Sequence, residues 1–139
     1  MSNSFQIDFG HSERKDGIHF QNTGWRMYNQ YDLRDMETVD SMVSLVKKYL
    51  KKDESMITFG NFNYENHSET HGYKRIVRDF CGDSYSVVSW KYNDYGAVCE
   101  TYKEENWKPT EKSIRKIISE CLKEWYEMLD EEEHKEDVA

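Results

Sequence analysis

The chain has 139 residues, of which 37% are hydrophobic and 33% are charged, and its net charge is −8. A chain of this length suits one domain with a real core, and it lacks an apolar run near the ~20 residues that a membrane helix requires. Composition therefore excludes a spanning helix. The N-terminus lacks the basic and apolar regions of a signal peptide, which favours a cytoplasmic protein with no membrane partner.

The negative charge is concentrated near the C-terminus. Between Asp130 and Asp137, six acids and Lys135 carry −5, which leaves −3 for the other residues. We predict a single α+β domain over residues 1–130 and an acidic, disordered tail over residues 131–139. The nearly balanced body argues against direct nucleic-acid binding.

The three cysteines, Cys81, Cys99 and Cys121, lie far apart and form no CxxC pair. An odd number at wide spacing argues against a disulfide framework and favours a reducing compartment. We expect each cysteine to be a small buried hydrophobe.

The first half of the chain predicts a hairpin, an extended segment and a helix. Residues Phe5–Phe9 alternate as in a strand, and the turn pair Asp16-Gly17 leads to a second strand at 18–21. Residues 25–31 are predicted to be extended. Asp35 is a predicted N-cap for a helix over 36–52, whose apolar residues recur at steps of three and four.

The second half predicts four more strands. Residues 55–64 form one, with Gly60 marking a bulge or a close backbone approach, and a polar connection at 65–72 leads to another at 73–80. The stretch 84–102 then predicts a hairpin around the turn at 93–96.

Alternation in the first strand of this last hairpin predicts which side chains face the core. The larger apolar load favours Val88, Trp90 and Tyr92 on the core side. Tyr85 and Lys91 then point outward.

The final helix has the strongest periodic signal. Thr110 is its predicted N-cap, and its apolar residues step by three and four over about five turns: Ile114, Ile117, Ile118, Cys121, Leu122, Trp125, Met128 and Leu129. The order of elements is thus β-β-α-β-β-β-β-α. We predict an α+β fold: an antiparallel sheet of about five or six strands with two helices packed on one face, leaving the opposite face or an edge exposed.

No residue pattern predicts catalysis, a metal or a cofactor. His67 and His71 have an H-x-x-x-H spacing that, with Cys81 and Cys99, offers four possible zinc ligands. However, the histidines lie in a predicted loop, and the positions of Cys81 and Cys99 do not match a known zinc-ligand spacing. Cys81 with Asp83 and a histidine lacks evidence of proximity, and the glycines form no phosphate-binding motif.

Composition and aromatic content favour a binding function. Alanine occurs twice and proline once, a usage typical of AT-rich phage or mobile-element genes, and 14% of the residues are aromatic, as suits protein interfaces. The leading hypothesis is a non-enzymatic inhibitor that sequesters a protein or a protein–nucleic acid complex. The predicted contact residues are Tyr85, Lys91, Tyr95, Tyr102 and the acids near them.

Three alternatives stay open, one of them a structural or accessory subunit that oligomerises through its edge strands. An immunity protein that neutralises a toxin or nuclease would use the same type of surface. A small enzyme or ligand-binding domain would instead have a pocket between the sheet and the C-terminal helix. The pattern does not determine the oligomeric state.

Overall fold

A computed structural model gives the fold, and it describes residues 3–11, 21–51, 55–63, 68–78, 84–93 and 97–138. Six strands and two α-helices follow one another in the predicted order β-β-α-β-β-β-β-α. Their bounds are β1 Asn3–His11, β2 Gln21–Tyr28, α1 Met36–Tyr49, β3 Ser55–Asn63, β4 Ser68–Arg78, β5 Tyr85–Tyr92, β6 Val98–Trp107 and α2 Glu111–Val138. A short 3₁₀ helix, Asp32–Arg34, precedes α1.

The six strands form one open antiparallel sheet in the order β2-β1-β3-β4-β5-β6. This arrangement confirms the predicted α+β fold. β2 and β6 are the edge strands of this sheet. None of the helices in the described part of the chain is both long and apolar enough to cross a membrane.

One hydrophobic core lies between the sheet and both helices. Side chains of β1, β3, β4 and β5 meet the buried stripe of α2 and residues Met42, Val43 and Val46 of α1. Trp125 is at the centre, fully buried, with its ring 5.9 Å from that of Phe5 in an edge-on arrangement. The periodic stripes in the sequence therefore mark the core faces of both helices, although Met36, at the start of α1, is 72% exposed.

Both predicted N-caps are confirmed. The Asp35 carboxylate accepts a hydrogen bond from the Glu37 amide at 3.0 Å, and the Thr110 hydroxyl accepts one from the Ser113 amide at 3.1 Å. These bonds satisfy amides that the first turn of a helix leaves without partners.

α1 ends earlier than predicted, at Tyr49. The Leu50 carbonyl accepts hydrogen bonds from the guanidinium of Arg78 and the hydroxyl of Tyr85. Side chains of the sheet thereby provide hydrogen-bond donors for a carbonyl that the end of the helix leaves without a partner.

Several strand boundaries differ from the prediction. β4 begins at Ser68, so much of the predicted polar connection is strand, and β6 extends to Trp107. Of the bulge and the close backbone approach predicted at Gly60, the pairing favours the bulge, because the register between β3 and β4 shifts between Phe59 and Gly60 and the extra residue lies on β4. Residues 18–20 of the strand predicted at 18–21, and the turns at Asp16-Gly17 and 94–96, lie outside the described residues.

The predicted orientation of β5 is wrong. Val87, rather than Val88, is in the core, at 4% exposure. Val87 pairs with Ile76 of β4, which in turn pairs with Ile57 of β3, and all three belong to the helix-covered face. Pairing with distant strands therefore decides which of the two adjacent valines, Val87 or Val88, faces the core.

The face of the sheet away from the helices is not uniformly exposed. Near its centre Asp8, Thr58 and Gln6 are buried, whereas Trp25 on the β2 edge is 60% exposed. An Asp8 side-chain oxygen accepts hydrogen bonds from the side-chain amides of Gln6 and Asn22, as a buried polar group requires. The exposure expected of this face is therefore found at its margins and at the sheet edges.

α2 continues through the residues predicted to form the acidic tail. Its helical backbone runs from Glu111 to Val138, and Leu129 is its last buried residue in the described part of the chain. The domain boundary at residue 130 stays a prediction.

Candidate functional site

The most exposed strand of the sheet is β6, the edge strand of the C-terminal hairpin. Nine of its ten residues are exposed, and Trp107 alone is buried. Among the described strands β6 pairs with β5 alone, so one row of its backbone groups faces outward. An exposed edge of this kind is a natural place for a partner to add a strand.

Bulges bound the regular part of β6 at both ends. The pairing with β5 shifts between Lys91 and Tyr92 and again between Tyr85 and Val87. Close to the second shift, Asn106 has a φ of 57°, a left-handed conformation that interrupts a strand. Regular pairing therefore spans five residues, 100–104, which we call the edge segment.

Alternation places Glu100, Tyr102 and Glu104 of the edge segment on the helix side. Their partners on β5 are Lys91, Ser89 and Val87, and Val87 belongs to the core under α2. Thr101 and Lys103 lie on the other side, because successive side chains of a strand point to opposite faces.

Three exposed side chains interact on the helix side of the hairpin. The Lys91 ammonium lies 3.7 Å from the Glu100 carboxylate and 5.2 Å from the centre of the Tyr102 ring. The Tyr102 hydroxyl donates a hydrogen bond to the same carboxylate at 3.1 Å. Such exposed pairs contribute about 0–1 kcal/mol to stability, so the fold does not depend on them.

A groove of about 350 Å³ lies between the hairpin and α2. Val87, Trp107 and Ile117 form its apolar part. Its polar lining includes Lys74, whose ammonium lies 3.2 Å from the Glu120 carboxylate and 3.0 Å from the Ser89 hydroxyl. The groove thus joins an apolar floor to charged groups of both signs.

The structure places the four predicted contact residues differently. Lys91 and Tyr102 lie together on the exposed hairpin, whereas Tyr95 lies outside the described residues. Tyr85 is half-buried on the helix side, where its ring lies 6.4 Å from Trp107 and its hydroxyl donates to the Leu50 carbonyl at 2.9 Å.

The structure describes two of the four candidate metal ligands, His71 and Cys99. His67 and Cys81 lie outside the described residues, and His71 is on β4 opposite Asn61. Cys99 is exposed on β6, so its predicted burial is wrong, while Cys121 is buried as predicted. In the described ranges no three His, Cys, Asp or Glu residues come together to hold a metal ion.

Burial also makes Cys121 a poor nucleophile. Desolvation raises the pKa of its thiol well above the usual value, and Glu124 raises it further. The reactive form of cysteine is the thiolate, so this side chain serves the core rather than chemistry.

Sequence reasoning named acids near the tyrosines without identifying them. Among the acids near the tyrosines, Glu100 and Glu104 flank Tyr102 on one side of a regular edge strand, so we include them in the candidate contact surface. The sequence contains this arrangement as E-x-Y-x-E at 100–104. In a strand, this spacing places the two acids and the tyrosine on the same face. The α2 side of the groove could not be found without tertiary structure.

Comparison with protein families, with curated proteins and with solved structures finds no match to this chain.

Proposed function

We propose that this protein is a binding protein that inhibits or sequesters a macromolecular partner, either a protein or a protein–nucleic acid complex. The contact surface is the exposed β5–β6 hairpin with its edge segment. The single observation that carries the proposal is the exposure of nine of the ten residues of β6.

The side chains on this surface suit protein recognition. Tyr102 is 53% exposed and Val98 is 52% exposed, and Tyr is among the residues enriched at interfaces. Lys91 and Glu100 supply charges at the rim. Because these groups contribute little to folding, we expect them to act in contacts with a partner.

The specific form that we favour is an inhibitor of the phage or mobile-element type. Its support is compositional: two alanines, one proline and ten tyrosines in 139 residues. Such a protein acts by occupying the surface of a larger complex, and an exposed sheet edge provides a surface for that contact.

Affinity capture from the source cells tests the proposal. We compare the wild-type protein with the double variant Lys91→Glu/Tyr102→Ser and with Tyr31→Ser, whose side chain is 65% exposed away from the hairpin. The wild type and Tyr31→Ser should recover one stoichiometric partner, and the double variant should recover at least about 10-fold less. Repeated absence of a partner, or full recovery with the double variant, contradicts the proposal.

The groove supports a second candidate, a ligand-binding domain. Its position between the sheet and α2 is the one expected of such a pocket, and it combines apolar and charged lining. Native mass spectrometry of protein purified from the source cells separates the two functions. A stoichiometric small molecule that is displaced by Ser89→Trp, at the groove wall, would favour the ligand-binding function.

A further inference from the structure

We propose that the edge segment accepts an extended segment of the partner protein as an added strand. The added segment carries a basic residue, then an apolar residue two positions later, then a second basic residue two positions after that. This inference rests on the proposed function and specifies its partner.

The backbone geometry defines the length of the added strand. Regular pairing with β5 spans residues 100–104, and bulges interrupt it on both sides. Main-chain hydrogen bonds to an added strand need the same regularity, because a bulge disrupts the ladder. The edge segment therefore offers pairing for about five residues of a partner.

The charges of the edge segment define the side chains of the partner. On the helix side, Glu100 and Glu104 flank Tyr102, and their β5 neighbours are Lys91 and Val87. Lys91 lies within 4 Å of Glu100, whereas Glu104 has no salt bridge within the described part of the chain. Each carboxylate favours a cation directly opposite on an added strand, by roughly 0.2–1 kcal/mol.

The residue opposite Tyr102 lies beside the groove. Tyr102, Val87 and Trp107 all contribute to that groove. An aliphatic or aromatic side chain in this position packs against the tyrosine ring, a favourable cross-strand pair. Since the acids are symmetric about Tyr102, the required pattern is the same for parallel and antiparallel addition.

The same symmetry disfavours a second copy of this chain as the occupant. Two edge segments that pair antiparallel over their full length place Tyr102 opposite Tyr102. Glu100 of each copy is then opposite Glu104 of the other. Like charges directly opposite each other destabilise a sheet, so the charges favour a different, basic partner over self-association.

Labelled nonapeptides test the inference by fluorescence anisotropy. The matched peptide has the central sequence Lys-Thr-Ile-Thr-Lys between threonine pairs. The control has the same composition rearranged to Lys-Lys-Ile-Thr-Thr, which moves one lysine off the recognised face. The wild-type protein should bind the matched peptide up to about 5-fold more tightly, because the rearranged peptide loses one of the two cross-strand ion pairs.

The charge-reversed variant Glu100→Lys/Glu104→Lys supplies the decisive control. Both positions are exposed, so circular dichroism and melting temperature should show an intact fold. This variant should prefer a Glu-Thr-Ile-Thr-Glu peptide to the matched one. Amide hydrogen exchange at 101–103 should slow on binding of the preferred peptide, which distinguishes strand addition from attraction by net charge.

Each outcome is decisive for one of the two proposals. Equal binding of the matched and rearranged peptides, an unchanged preference in the charge-reversed variant, or unchanged amide exchange overturns the inference. If the partner captured from cells still depends on Lys91 and Tyr102 in that case, the proposed function stands. Wild-type dimerisation through β6, seen by analytical ultracentrifugation and abolished by charge reversal, also overturns the inference, in favour of a second copy.

Discussion

At the scale of single residues, one buried hydrogen bond joins the C-terminal helix to the centre of the sheet. The Trp125 indole Nε1 donates to the Asn61 side-chain oxygen at 2.9 Å, and both residues are at most 1% exposed. The Asn61 amide nitrogen also donates to the Asn3 side chain at 3.0 Å. A polar residue inside an apolar core is tolerated because its hydrogen bonds are made.

Replacing Trp125 with phenylalanine tests this contact. The variant loses the indole donor and leaves a cavity beside Phe5, so the free energy of unfolding should fall by about 2–4 kcal/mol. Urea denaturation measures the change. The matched control is Tyr126→Phe, next along the helix and 37% exposed, which should shift the free energy of unfolding by at most about 0.5 kcal/mol. An equal effect in both variants would contradict the central role of the indole.

At the scale of elements, the charges of α2 run against its own dipole. Apart from Glu111, the charged residues of its first turns are the bases Lys112, Arg115 and Lys116, and acids predominate in the second half of the described helix. A helix favours acids at its N-terminus and bases at its C-terminus. Burial of the apolar stripe and the N-cap must therefore hold α2 in place.

The N-cap of α2 makes a measurable contribution. Thr110→Ala removes the acceptor of the Ser113 amide and should lower the free energy of unfolding by about 1 kcal/mol. Lys112→Ala, at an exposed position in the same turn, is the control and should leave stability within about 0.5 kcal/mol of the wild type. Chemical denaturation followed by circular dichroism measures both variants. A neutral Thr110→Ala variant would show that the cap is dispensable.

At the scale of the whole molecule, negative charge is concentrated at the C-terminal end of the chain. Leu129 is the last buried residue of α2 in the described part of the chain, at 5% exposure. Residues 131–139 carry −4 of the net charge of −8. These acids follow one another near a helix C-terminus, where the dipole disfavours negative charge.

Deletion of residues 131–139 should therefore leave the fold intact. We expect the free energy of unfolding to change by less than about 1 kcal/mol, because Leu129, the last buried residue of α2 in the described part of the chain, is kept while repulsion among the acids is relieved. Thermal denaturation at low and at high salt measures the change, and any gain should shrink at high salt because the repulsion is screened. A loss of more than about 8 °C in melting temperature would show that these residues support the fold.

By itself, the sequence determined the order of the elements, the residues that begin both helices and the stripe of α2 that is buried. These features depend on neighbours within a few positions, where periodicity, capping and turn chemistry act. The same local information named Lys91 and Tyr102 among four contact residues. It placed Lys91 on the face away from the core, whereas strand pairing puts Lys91 on the helix side with Val87.

Tertiary structure alone decided the orientation of β5, the length of β6 and the assembly of the groove with α2. The local pattern does not distinguish Val87 from Val88 as the core residue. The pairing of Val87 with Ile76 puts Val87 on the core side. The polar residues Lys103 and Glu104 belong to β6 because β5 pairs alongside them, although no apolar alternation marks them in the sequence. Non-local pairing and packing set these features, and no local window of the chain contains the partners that they require.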